Sequence, residues 1–179
     1  MNVRVEVTGI EECKRFLAQQ PKRAATAMSS AANRALLAGR TMLSKGIRSE
    51  YSIKAGTIKS HTKLKKASRG TASGEIRVSG RPIDLMEFSP RLRKGGMVTV
   101  RVKKTRKKLP HSFFVTVGRA GIYHRTTKKR LPIEREFTLS VPQMAGNVNV
   151  STAVQKRMSE VFVERLEHAM AYGRGQGYE

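Results

Sequence analysis

Apolar and polar residues alternate at two places in the chain, and this two-residue period is typical of a half-buried β-strand. The first place is residues 3–7, where three valines alternate with charged residues. The second is Met97–Lys103, where three more valines alternate with threonine, arginine and lysine. We predict a strand at each place. Shorter strand candidates, separated by glycine or proline, are Glu75–Ser79, Ile83–Phe88, Phe113–Val117 and Ile122–His124. The last two bracket Gly118 and Gly121, and this arrangement predicts a hairpin.

Apolar residues recur every three or four positions in two longer segments, which indicates two amphipathic helices. The first runs from Pro21 to about Ile47, and the second runs from Ser151 to Tyr172, with Ser151 or Thr152 as its N-cap. A short helix is predicted to begin near Lys54. Small residues on the first helix would let another backbone approach closely: Ala31, Ala32, Ala35, Ala38 and Gly39. We favour packing inside the chain for both helix faces, with contact between subunits as the alternative.

The order of these elements is strand, long helix, several strands and long helix. This order predicts an α+β fold, with a mainly antiparallel sheet, a long helix in the N-terminal half and a C-terminal amphipathic helix. We expect residues 1–172 to form a single domain with a basic hairpin arm around residues 91–112. Residues 173–179 are expected to be a flexible C-terminal tail.

Net charge is the most informative property of the composition. The chain has 36 Lys+Arg against 13 Asp+Glu, a formal net charge of +23. No acidic residue lies between Glu87 and Glu134, although this stretch is rich in lysine and arginine. Such a density of like charge indicates a negatively charged neighbour. Aromatic residues make up only 6% of the chain, which argues against recognition by base stacking.

Two clusters are the densest, at residues 63–69 and 102–108. Contact with phosphate groups and contact with an acidic protein are equally open interpretations, and a solvated basic loop is the plainer alternative. The candidate contacts with DNA or an acidic partner are Arg101, Lys103, Lys104, Arg106, Lys107, Lys108, Lys63, Lys65 and Lys66.

Residues suited to catalysis or metal binding are few and scattered. The four histidines, His61, His111, His124 and His168, lack metal-ligand spacing, and Cys13 is the single cysteine, so no intramolecular disulfide can form. We expect no metal, no cofactor and no enzymatic activity. A serine–histidine–carboxylate site stays open, although nothing in the sequence points to one. The N-terminal residues predict neither a signal peptide nor a membrane span.

A resemblance to a known family appears at residues 129–144, KRLPIEREFTLSVPQM. The pattern "RLPI", a short variable stretch and "SVPQM", followed by a terminal amphipathic helix, resembles the minor tail protein Z family of tailed bacteriophages and prophages. Three further segments resemble this family in the same order, at residues 32–59, 79–88 and 98–117. The resemblance therefore covers roughly residues 20–172. Thr138-Leu139-Ser140 stands where Gly-Pro-Ser is common in the family.

The resemblance implies a structural protein of the phage particle, in the virion tail near the head–tail junction and in the host cytoplasm during assembly. It implies a tail completion or minor tail protein needed for tail assembly and head–tail joining. The implied partners are the tail terminator, the tail tube or the head connector, together with other copies of the chain in a ring. Non-specific contact with DNA is a further option, and a membrane is not expected. The alternative is a free, basic protein that binds nucleic acid without sequence preference.

The motif itself has two physical interpretations. Prolines fix φ and cannot donate backbone hydrogen bonds, so they interrupt a sheet rather than extend it. The segment is then either a rigid connector that holds the last helix onto the sheet, which we favour, or a lip that docks on a neighbouring subunit. The residues of this candidate structural or subunit contact are Leu131, Pro132, Ile133, Val141, Pro142, Gln143 and Met144.

Overall fold

The computed structural model of the protein describes residues 2–3, 21–71, 73–93, 96–116, 118 and 120–175. Its four α-helices are α1 (Pro21–Glu50), α2 (Ala55–Ser60), α3 (Val141–Ala145) and α4 (Val148–Gly175), and a 3₁₀ helix spans Leu85–Phe88. The strands are β1 (Asn2–Val3), β2 (Thr62–Lys65), β3 (Glu75–Val78), β4 (Pro82–Asp84), β5 (Arg91–Leu92), β6 (Val98–Val100), β7 (Lys107–Leu109), β8 (Ser112–Val115), β9 (Gly121–Arg125), β10 (Ile133–Arg135) and β11 (Phe137–Ser140).

The predicted α+β fold is confirmed: the two long helices pack on each other, and every described strand pair is antiparallel. The strands form several small sheets rather than one. Their orders are β1-β3-β2, β5-β6-β7, β8-β9-β10 and β4-β11. The strands are short, the longest described one having five residues, because turns interrupt the chain repeatedly. The hairpin predicted around Gly118 and Gly121 is confirmed as β8–β9.

Small residues on α1 pack inside the chain, as favoured from the sequence. Ala31 and Ala35 are buried against Val161, Phe162 and Leu166 of α4. Further along, α1 contributes larger apolar side chains to the main core, and β3, α3 and α4 contribute to the same core. Its members include Leu36, Leu43 and Ile47 of α1 together with Ile76, Met144, Val154 and Met158. Burial of such side chains is the main source of stability for a chain with a modest apolar content.

Several boundaries differ from the sequence-based expectation. The segment predicted as one strand at Ile83–Phe88 divides into β4 and the 3₁₀ helix, because the Asp84 carboxylate accepts a hydrogen bond from the Met86 backbone N–H at 2.8 Å. Helix α4 begins at Val148 rather than at Ser151, because the Asn147 side chain accepts from the backbone N–H of the second helical residue at 3.0 Å. This corrects the predicted cap.

The other end of α4 also differs, because the helix continues to Gly175, three residues into the predicted flexible tail. Residues 176–179 of that tail lie outside the described residues. So do residues 4–20, which hold most of the first predicted strand and the cysteine.

Candidate functional site

The sheet β5-β6-β7 has two unlike faces, which the register of its strands defines. Arg91 lies opposite Thr99, and Thr99 lies opposite Lys108. Residues directly opposite one another in a sheet project to the same face. This row therefore places one cation on each side of a central threonine, Arg91 on one side and Lys108 on the other.

The neighbouring row projects to the other face, because successive residues of a strand alternate. It consists of Leu92, Val98 and Leu109. Val98 and Val100 are fully buried and pack in a small cluster with side chains of the 3₁₀ helix and of β9. One face of the sheet is therefore fixed to the body of the protein, and the other face is left to the basic residues.

We call the outer surface the arginine face and define it as Arg91, Arg93, Arg101, Arg106 and Lys108. The backbone N–H of Arg93 donates to the Met97 carbonyl oxygen at 2.9 Å, which extends the β5–β6 ladder beyond Leu92. The four other residues lie on β5 or β7 or directly beside β6 and β7. All of them are exposed except Arg106, which is half-buried.

Arg106 holds the centre of this face. Its Nη1 donates to the carbonyl oxygen of Ser89 at 3.0 Å and to that of Thr99 at 3.2 Å. The Thr99 side chain is only 2% exposed, and its hydroxyl donates to the Arg91 carbonyl oxygen at 3.2 Å. The strand predicted at Met97–Lys103 is present but shorter, Val98–Val100. Thr99 on its outer side is covered rather than exposed.

The arginines are close enough to affect one another. Partial burial lowers the pKa of the Arg106 guanidinium from its ordinary value, and the positive charges of Arg91, Arg101 and Arg93 lower it further. This electrostatic crowding means that an anion bound on the face would relieve repulsion between the cations.

Within the described part of the chain, none of the five cations of the arginine face forms an ion pair with a carboxylate. Arg101 uses its Nε to donate to the Lys104 carbonyl oxygen at 3.2 Å, which orients its guanidinium without neutralising it. The positive charge of this surface is therefore balanced by solvent ions or by a binding partner.

The loop between β6 and β7 docks on the end of α1. The Ser52 backbone N–H donates to the Val102 carbonyl oxygen at 2.9 Å, and Lys103 Nζ lies 5.9 Å from the centre of the Tyr51 ring. Val102 also packs against the main core. The segment expected to be a hairpin arm is thus a small sheet and a loop that are attached to the body.

The sequence-predicted basic residues are separated by the structure. Arg101, Arg106 and Lys108 belong to the arginine face, whereas Lys107 is exposed one position away on the alternate side of β7. Lys103 and Lys104 lie in the loop between β6 and β7. Lys104 lies beside Arg101, whose Nε donates to its carbonyl oxygen, whereas the Lys103 side chain is directed to the Tyr51 ring.

The second predicted cluster lies on a different sheet. Lys63 and Lys65 are exposed on β2, and Lys66 follows them. Lys63 faces Arg77 of β3 across the sheet β1-β3-β2. These lysines form a second basic surface. It is separate from the arginine face in the sense that no strand pairing joins the sheet β1-β3-β2 to the sheet β5-β6-β7.

Arg91 and Arg93 were not among the sequence-predicted contacts. They precede the dense cluster by about ten residues, and only the pairing of β5 with β6 brings them next to Arg101 and Arg106. The available signal was their own spacing, since two arginines that are two positions apart share one face of a strand.

The motif at residues 131–144 divides into a buried part and an exposed part. Val141 and Met144 of α3 are fully buried in the main core, which fits the structural interpretation and excludes them as surface contacts of the folded chain. Pro142 lies in the first turn of α3, and Gln143 completes a capping box with Ser140.

The exposed part of the motif lies before the capping box. Leu131 is 66% exposed, Pro132 is exposed, Ile133 is half-buried and Phe137 is 56% exposed. The interpretation as a rigid connector therefore applies to α3. Docking on a neighbouring subunit, the lip interpretation, is possible only for the exposed residues around Leu131 and Phe137.

A serine, a histidine and a carboxylate do meet, at the sheet β8-β9-β10. The Ser112 hydroxyl donates to Glu136 Oε1 at 2.5 Å, and His124 Nδ1 lies 3.5 Å from the same oxygen. In a nucleophilic triad the serine donates to the histidine, which serves as the base. Here the carboxylate occupies the middle position, so this arrangement does not activate the serine.

In the described residues, no three histidine, cysteine or acidic side chains are grouped so that they could hold a metal ion. No helix among these residues has the length and hydropathy needed to cross a membrane. Comparisons of the chain with models of protein families, with curated proteins and with solved structures found no match.

Proposed function

We propose that this chain is a structural protein of a tailed-phage virion, a tail completion or minor tail protein at the head-proximal end of the tail. Its role would be to complete the tail and to make it competent to join the head. The observation that carries the proposal is the set of four ordered segments that resemble the minor tail protein Z family.

The packing of these segments supports the proposal. Ile47, Phe88, Val102 and Met144 come one from each of the four segments, and all four lie in or against the main hydrophobic core. The resemblance thus follows residues that contact one another in three dimensions, as expected if a common fold is the reason for it.

A ring of identical subunits around the tail axis fits the distribution of exposed apolar side chains. Leu131, Phe137 and Val148 are exposed by 66, 56 and 75% respectively. Large apolar side chains at such exposure are candidates for contact with a neighbour, whether another copy or another tail protein.

The proposal is tested by interrupting the gene in the phage that encodes the chain. We expect heads that contain DNA and tails that fail to join them, or joined particles that do not infect. Supplying the intact chain from a plasmid should restore infectivity. Normal yields of infectious particles without the chain would exclude the proposed role.

A second candidate function is favoured by the arginine face: a free protein that binds nucleic acid without sequence preference. The two candidates differ in where the chain is found. A virion protein co-purifies with tails after density-gradient sedimentation, whereas a free nucleic-acid-binding protein remains with host nucleic acid in the lysate.

A further inference from the structure

We propose that the arginine face is a binding site for the phosphodiester backbone of duplex DNA. The choice of DNA as the polyanion rests on the proposed function, because a phage tail is the conduit for DNA. The recognition of phosphate is argued from the face itself, and it stands whether or not the chain is a virion protein.

Guanidinium groups dominate the face, since four of its five cations are arginines. Arginine presents planar pairs of N–H donors that match two oxygens of one phosphate, whereas lysine acts as a point charge. Arg101 and Arg106 are already oriented by hydrogen bonds to backbone carbonyl oxygens. Less side-chain freedom is lost when such pre-oriented groups bind a ligand.

The spacing of the cations suits a repeating polyanion. Residues two apart on one strand are separated by about 6.6 Å, and adjacent strands lie about 4.8 Å apart. The three strands therefore spread their charges over roughly 10 Å across the strands and roughly 13 Å along them. Duplex DNA presents a phosphate about every 3.4 Å of helix axis on each strand, so the face spans about three phosphates.

The described residues of the face offer no aromatic ring on which a base could stack. Between the cations lies Thr99, which is covered, and no aromatic side chain takes part. Single-stranded nucleic acid is usually held by stacking its bases on aromatic rings, which this face does not offer. A duplex held through its backbone is therefore the better match than a single strand.

An acidic protein is a weaker match for the same surface. Stable protein interfaces have a central apolar or aromatic anchor surrounded by polar residues. Here the centre is the Arg106 guanidinium. Of the exposed apolar side chains nearby, Met97 lies opposite Arg93 at the edge of the face rather than at its centre, and Leu92 projects to the opposite face of the sheet. Charge without an anchor is typical of phosphate-backbone contacts.

The test compares two variants of the full chain that lose the same number of charges. Arg91→Gln/Arg93→Gln/Lys108→Gln removes three exposed cations of the face and leaves the two hydrogen-bonded arginines in place. The matched control, Lys63→Gln/Lys65→Gln/Lys66→Gln, removes three exposed cations from the region of β2. Both variants should unfold at the temperature of the wild type, because none of the six side chains is buried.

Binding to a short duplex DNA of random sequence is measured as a function of salt concentration. We expect the face variant to bind at least about 10-fold more weakly at ~0.1 M salt. Its log–log salt slope should fall by roughly 2.7, about 0.9 for each phosphate that is no longer neutralised. The control should keep most of the wild-type slope. Equal losses of affinity in the two variants would show that binding follows net charge alone and would overturn the proposal.

Two further measurements identify which polyanion the face binds and whether binding needs guanidinium groups. Polyglutamate at the same charge concentration should compete poorly; if it displaces the DNA as well as unlabelled duplex does, the face recognises acidic protein and the proposal is wrong. Arg91→Lys/Arg93→Lys keeps the charge and removes two guanidinium groups. We expect weaker binding with an unchanged salt slope, and wild-type affinity would contradict the role given to arginine.

This experiment separates the two proposals. Loss of DNA binding in the face variant with no effect of the gene on particles would uphold the site and exclude the virion role. Particles that need the chain, together with a wild-type protein that does not bind duplex DNA, would uphold the virion role and exclude the site.

Discussion

Gly39 of α1 lies directly against Met158 of α4, so closely that a Cβ atom on Gly39 would be 2.5 Å from the Met158 sulfur. The same atom would be 3.1 Å from Ile76 Cδ1. Both neighbours are almost fully buried. The absence of a side chain at this position is what allows the two long helices to approach at the centre of the core.

Gly39→Ala should therefore destabilise the fold, although alanine favours a helix. The gain in helix propensity is about 0.5–1 kcal/mol, and overpacking of a core costs about 1–3 kcal/mol, so we expect a net loss of roughly 1 kcal/mol. Chemical denaturation measures it. The control is Gly56→Ala in α2, where a Cβ meets nothing within 4 Å, and it should be neutral or stabilising. A Gly39→Ala protein more stable than the wild type would contradict the close approach.

Asn33 attaches the segment after β2 to α1. Its Nδ2 donates to the Ala67 carbonyl oxygen at 3.0 Å, and its Oδ1 accepts from the Ala67 backbone N–H at 2.9 Å. Asn33→Ala removes both bonds, and we expect a loss of about 1–3 kcal/mol. Trypsin should also cleave faster after Lys65, Lys66 and Arg69, where the released segment is exposed.

The matched control is Asn149→Ala, because Asn149 is exposed and its side chain lies at the start of α4. It should leave both the stability and the cleavage pattern unchanged. If Asn33→Ala is cut no faster than this control, the two hydrogen bonds do not hold the segment.

The Ser140–Gln143 capping box fixes the start of α3, and α3 places Val141 and Met144 in the core. Ser140→Ala removes the side-chain cap, which costs about 1 kcal/mol in typical helices. Ser151→Ala is the comparison, since the Ser151 hydroxyl donates only to the Val148 carbonyl oxygen of its own helix. Thermal unfolding of both variants measures the difference, and equal midpoints would show that the cap contributes nothing.

The exposed part of the motif has a different predicted role. Leu131→Ser and Phe137→Ser should leave stability within about 0.5 kcal/mol of the wild type, because both side chains are mostly exposed. If they contact a neighbour in the tail, as the lip interpretation states, fewer variant chains will be incorporated into particles. Leu37→Ser, which removes an exposed apolar side chain of α1 outside the motif and outside the proposed contact, should have a smaller effect. Full incorporation of both motif variants would refute the lip interpretation.

Much of the fold follows from periodicity along the chain. The two long helices and the β8–β9 hairpin depend on residues near one another in sequence, and the hydrophobic pattern with its glycines was enough to predict them. The helix boundary at Val148 was missed because the Asn147 cap competes with serine and threonine a few residues later. Local chemistry of this kind moves an end without changing the element.

The candidate site was predicted only in part, because it depends on strand pairing over distance. Arg101, Arg106 and Lys108 were recognised from charge density. Arg91 and Arg93 join them through the β5–β6 register, which no local pattern specifies. The covered position of Thr99 likewise depends on Arg106 reaching back across the sheet. Long-range pairing is the information that a single sequence carries least clearly.

The central claim is that the chain is a built-in component of a phage particle, and the most direct measurement is quantitative mass spectrometry of purified particles and purified tails. The account predicts that peptides of this chain are present in both, at a small and constant number of copies per tail, and that they persist through high-salt washing. Absence from tails, or a copy number that falls as salt removes loosely bound protein, would contradict it.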